Sequence, residues 1–137
     1  MITRVPTWHE MMHPGMHKIH GMDGSVWHVF FGNCPDVGHP HDHPWTFRSE
    51  IIFGGYVEEV YDPATGARQV FHRRPGDSFM VPATKVHKII DYPEGNALTR
   101  IWPGEGEQKW GFWRWDNGFA ERLSLIHISE PTRLLSI

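Results

Sequence analysis

His41 and His43 are the residues of this chain best placed to do chemistry. They stand one residue apart in GHPHDHPWTFRSEIIFGG, residues 38–55, at what reads as the start of a strand. Side chains at i and i+2 of an extended chain point to the same face, so the two imidazoles can converge on one metal ion while Asp42 faces the other way. Asp42 would there either orient a ligand or cap the loop. Another histidine, His87, closes a second patterned segment, PGDSFMVPATKVH, residues 75–87. Imidazole suits Fe, Zn, Cu and Ni alike, so ligand type does not select the ion.

Strands must hold these side chains. Residues 25–31, SVWHVFF, are aromatic and β-branched between Gly24 and Gly32, the composition of a strand. The same signals predict strands over 45–53, 56–61, 67–72, 79–82, 85–91, 98–102 and 110–115, with turns at 54–55, 62–66 and 75–77 and a loop over 32–40. Residues 1–16 are poorly periodic and read as an N-terminal segment, a short helix or an arm around 8–12; residues 17–122 form the domain. No stretch has convincing helical amphipathicity. Many short strands between regular turns predict an all-β sandwich or barrel.

Composition narrows the function classes. The formal charge is −3 with 13 basic and 16 acidic residues. No basic excess is present to neutralise phosphates, which argues against nucleic acid as a partner. Cys34 is the single cysteine, so no intrachain disulfide forms, in keeping with a reducing, cytoplasmic setting. No apolar run is long enough for a membrane span. Residues 123–137, LSLIHISEPTRLLSI, look like a translated sequencing adaptor, and on that reading they lie outside the fold and His127 is not a ligand.

The two histidine segments resemble the paired motifs of the cupin superfamily. His41-Asp42-His43 supplies the His-x-His of the first motif and Gly54 its closing glycine. Gly76, Pro82 and His87 fall at the spacing of the second, with Thr84 and Asp91 in place of its usual glycine and asparagine. The stretches HDHPW (41–45), Gly54-Gly55-Tyr56 and Trp110-Gly111-Phe112 are also similar to those of small bacterial and phage cupins. The resemblance implies a double-stranded β-helix, or jelly-roll barrel, with His41, His43 and His87 as metal ligands, and it is compatible with a homodimer. Where many cupins carry a glutamate ligand this chain has Phe47. Strand alternation puts the nearby Glu50 outward unless a bulge reverses it. A site of three histidines without a carboxylate is similar to the thiol dioxygenase branch of cupins, and implies Fe(II) first, with Zn, Mn or Ni as alternatives.

Three neutral imidazoles leave a divalent charge uncompensated, which favours an anionic or thiolate small-molecule substrate. Three protein ligands also leave open positions, the mark of a catalytic site. The candidate anchor is Arg100, a charge in the otherwise apolar segment 97–102, with Arg48, Arg73 and Arg74 behind it. Trp45 is a candidate pocket wall, and Tyr56 and His28 are candidate acid–base groups. The leading expectation is an Fe(II)-dependent dioxygenase. The alternatives are a non-enzymatic small-molecule-binding cupin and a sugar isomerase or epimerase.

Overall fold

The computed structural model describes residues 8–13, 16–32, 39–116 and 119–124, and every regular element among them is a strand. In chain order these are β1 (Trp8–His13), β2 (Met16–His20), β3 (Val26–Phe31), β4 (Trp45–Phe53), β5 (Tyr56–Tyr61), β6 (Arg68–Arg73), β7 (Ser78–Val81), β8 (Val86–Asp91), β9 (Asn96–Gly106), β10 (Gly111–Asp116) and β11 (Phe119–Ser124). One antiparallel sheet runs β1-β2-β3-β9-β4-β7. Opposite it lie β6-β5-β8 and the hairpin β10-β11. His41 forms backbone bridges to His87 of β8 and to Phe112 of β10, which stitch these pieces into one layer.

Alternation decides what lies between the layers. Along β4, Phe47, Ser49 and Ile51 are buried while Arg48 and Ile52 are exposed. Along β9, Ala97, Thr99 and Ile101 are buried in the same way. These inward residues meet those of the opposite layer in two apolar clusters. Ile51, Tyr56, Ile89, Tyr92 and Ala97 form one, and Val26, Phe47, Val81 and Ile101 the other, with Phe79 packed against both. A fully buried aliphatic side chain such as Ile51 or Ile101 contributes roughly 1.5–3 kcal/mol. The turn between β4 and β5 depends on Gly54. Its φ is +78°, and a Cβ there would lie 2.0 Å from the Asn96 carbonyl oxygen, so only glycine fits.

Four elements differ from the sequence reading, beginning with β2, a strand over residues for which none was predicted. Residues 8–13 form β1, paired with β2 from Trp8↔His20 to His13↔Met16, so cross-strand pairing sets the conformation where local periodicity is weak. β9 runs on to Gly106 because its far half continues along β4 as far as Trp45. β11 pairs with β10 as far as Ser124, so Leu123 and Ser124 of the adaptor-like segment belong to a strand. Residues 125–137, Cys34 and most of the 32–40 loop lie outside the described residues. No helix among the described residues is long and apolar enough to cross a membrane.

Candidate metal centre

The His41 bridge builds the site. His41 N–H donates to the His87 carbonyl and His87 N–H to the His41 carbonyl, each at 3.0 Å. This reciprocal pair sets the two residues directly opposite each other, so their rings share a face with centroids 4.9 Å apart. Two residues on, His43 N–H donates to the Ala83 carbonyl at 3.1 Å. Gln108 clamps the same place from outside, its Nε2 donating to the carbonyls of His43 (2.8 Å) and Ala83 (3.1 Å). One ligand atom from each of His41, His43 and His87 then lies within 4.8 Å of the others.

His43 Nε2 and His87 Nε2 face each other at 3.1 Å. Two imidazole nitrogens at that distance need a proton or a cation between them. Two nitrogens each about 2.1 Å from one ion stand roughly 3.0–3.4 Å apart at right or tetrahedral angles, so this pair has the spacing of two imidazole ligands of one transition metal. Burial keeps the His41 and His43 rings in the unprotonated form a metal requires. It pushes His41 down to about 3, helped by the neighbouring His87 and opposed by Glu58. Burial likewise holds His43 well below the ordinary imidazole value, helped by His87 and His41.

A carboxylate missed in the sequence lies behind His87. Glu58 of β5 is 0% exposed. Its Oε1 is 2.6 Å from His87 Nδ1, and its Oε2 accepts from Arg73 Nε at 2.6 Å and Lys85 Nζ at 3.1 Å. Burial alone would raise its pKa, but the hydrogen bond and charge of His87, then Lys85 and Arg73, outweigh that and hold it below the usual carboxylate range. The signal was available, since alternation places Glu58 inward with Tyr56 and Val60. Its partners, however, come from other parts of the chain.

Asp42 faces away from the ring cluster, as alternation requires, and is 2% exposed. It accepts from Gly111 N–H (2.6 Å), Trp113 Nε1 (3.0 Å) and Arg122 Nε (2.6 Å). Its role is therefore to fasten the β10-β11 hairpin, and no imidazole is among these partners.

The remaining candidates are spread over the fold. Phe47, in the position of the missing glutamate, is buried with its ring 5.2 Å from that of His43. Trp45 packs on Phe47 at 5.6 Å, so it stands one ring removed from the ligands. Glu50 sits opposite Ser78 and Arg100, between the inward Ser49 and Ile51, and is not in the cluster. Arg100 is not brought to the histidines either. Thr99 and Ile101 take the inward positions, and Arg100 lies on the outer face, stacked between Trp27 and Trp102 and paired with Asp23 at 2.6 Å. Tyr56 is buried in the apolar cluster. Burial, then Glu58, raises its hydroxyl well above the ordinary value, which unsuits it as a base. His28 points inward between Val26 and Phe30, and its buried Nε2 has no hydrogen-bond partner. A surface cleft of about 490 Å³ beside Arg73 is lined also by Phe53, His72, Arg74 and Glu94, and by none of the three histidines.

No family model and no curated protein matches this sequence. Solved structures match its shape. The Drosophila melanogaster CENP-C cupin domain superposes with a TM-score of 0.57 at 9% identity, over 72% of this chain and 76% of that one. The capsular polysaccharide assembling protein CapF from Staphylococcus aureus gives 0.62 at 11% identity, over 89% of this chain and 33% of that one. Fe(II) HppE gives 0.53 at 11% identity, over 76% and 58%. The fold is the cupin-type double-stranded β-helix.

Proposed function

We propose that this protein is a metal-dependent cupin enzyme, an Fe(II) dioxygenase in which His41, His43 and His87 hold the ion and the substrate is a small anion or thiolate. The observation that carries this reading is the convergence of three imidazoles, His43 and His87 buried and His41 half-buried, with no carboxylate among the clustered ligand atoms. Fe(II) held by these imidazoles would supply one-electron chemistry. The structural match to HppE in its Fe(II) form is in keeping with that ion.

The chain's own residues supply the rest. Phe47 and Trp45 form an apolar wall beside His43 and exclude water from that side. Behind His87, the two cations Arg73 and Lys85 meet the single carboxylate Glu58. With the Arg73 side chain 20% and that of Lys85 10% exposed, this positive excess adds to the pull on an anionic group. Burial keeps Tyr56 protonated, and Arg100 is outside, so substrate selection rests on the interior cations and the open metal positions.

The test is O₂ consumption by the Fe(II)-loaded protein across a panel of small thiols and carboxylates, with His87→Ala as control. Substrate-dependent uptake in the parent alone supports the proposal. Stoichiometric metal with no uptake across the panel would move the reading to a small-molecule-binding cupin.

A further inference from the structure

We infer that Glu58 is a positioning residue for the metal centre: it fixes which nitrogen of His87 faces His41 and His43. This rests on the metal-centre reading above and goes one residue beyond it.

A carboxylate accepts hydrogen bonds and cannot donate them, so the 2.6 Å contact of Glu58 Oε1 requires the proton to sit on His87 Nδ1. Nε2, which faces His43 Nε2 at 3.1 Å, is then the nitrogen left to bind an ion. Glu58 itself is held rigidly. Arg73 and Lys85 both donate to Oε2, which leaves Oε1 to His87 and keeps the carboxylate from swinging forward to become a ligand.

Nothing about the strand calls for an acid at this place. Its neighbours across the sheet are Phe71 and Ile89, and an apolar residue would continue the inward row of Tyr56 and Val60. Burying a carboxylate is costly unless it is paired. Here the pairing takes three partners, of which one belongs to the clustered imidazoles. A carboxylate behind a ligating imidazole raises its basicity and fixes its ring, and loss of such a partner typically weakens metal binding by 10–100-fold.

The experiment is a Zn(II) competition titration of the parent and Glu58→Gln, joined to ¹⁵N–¹H spectra of the histidine rings in the Zn(II)-loaded protein. The expected result is a Kd about 10–100-fold weaker in Glu58→Gln. In the parent, His87 should be metallated at Nε2 and carry a strongly downfield Nδ1 proton that moves upfield in the variant, a change that general destabilisation does not produce. An unchanged Kd in folded Glu58→Gln, or metallation of His87 at Nδ1, would overturn the inference alone. A parent that binds no Zn(II) would remove the metal-centre reading and this inference together. Should Glu58→Gln not fold, the parent spectra decide by themselves.

Discussion

Asp42 stands between two of the clustered histidines and Glu58 lies behind the third, and both are buried carboxylates, with exposures of 2% and 0%. Asp42 spends its oxygens on Gly111 N–H, the Trp113 indole and Arg122, all from the β10-β11 hairpin and its approach. Glu58 spends one oxygen on two cations and the other on an imidazole of the cluster. Nearness in sequence to a ligand thus says little about which carboxylate serves it. On an extended segment the residue between two inward side chains faces out, whereas a residue far along the chain can arrive behind a ligand from the neighbouring strand.

The comparison can be broken in several places. The largest effect is expected from His87→Ala, which removes a ligand and the partner of Glu58 together. Stoichiometric metal binding should be lost in a protein that retains its β-rich circular dichroism. Asp42→Ala should act on stability instead. Removing one partner of a buried pair, and leaving the Gly111 N–H and Trp113 indole unmatched, costs about 3 kcal/mol, read as a lower denaturant midpoint. Metal affinity of the folded fraction should stay within about tenfold of the parent, or 1.4 kcal/mol. A loss of affinity as large as that of Glu58→Gln would erase the distinction between the two acids.

His28 offers a smaller effect from a group buried outside the ligand set. Burial first, then Lys18 and His20, pushes its pKa from the usual 6.5 down to about 3. Above pH 6.5 it therefore contributes nothing to pH dependence. Between 6.5 and 3 the unfolded chain binds a proton that the folded chain does not, so stability decreases as the pH is lowered, by up to about 1.4 kcal/mol per unit. In His28→Leu that proton should vanish from the slope of unfolding free energy against pH, and an unchanged slope would contradict the assignment. The smallest effect is expected from Arg100→Ala. Its pair with Asp23 is partly exposed on the outer face, so stability should change by less than about 1 kcal/mol and metal affinity should not change measurably.

How much of this was legible in the sequence follows from the range of the interactions. His41 and His43 were readable because period-two alternation is local, and His87 because the spacing of Gly76, Pro82 and His87 resembles the second cupin motif. The outward face of Arg100 was readable from the buried alternation of Ala97, Thr99 and Ile101, but a charge among apolar residues suggested a pocket. Glu58 was hidden because its partners Arg73, Lys85 and His87 lie 15, 27 and 29 residues away and only the β6-β5-β8 pairing assembles them. β1 and β11 were obscure for a related reason. Each is defined by its pairing with one neighbour, and hairpin strands at a sheet edge carry little apolar alternation of their own.

The central claim is that His41, His43 and His87 converge on one metal ion. Metal content per folded chain, measured on the purified protein after anaerobic Fe(II) reconstitution and beside His41→Ala and His43→Ala, tests it most directly. Close to one iron per chain in the parent, lost in both variants, is the predicted result. A folded parent that retains no iron, or variants that retain as much as the parent, would contradict the account.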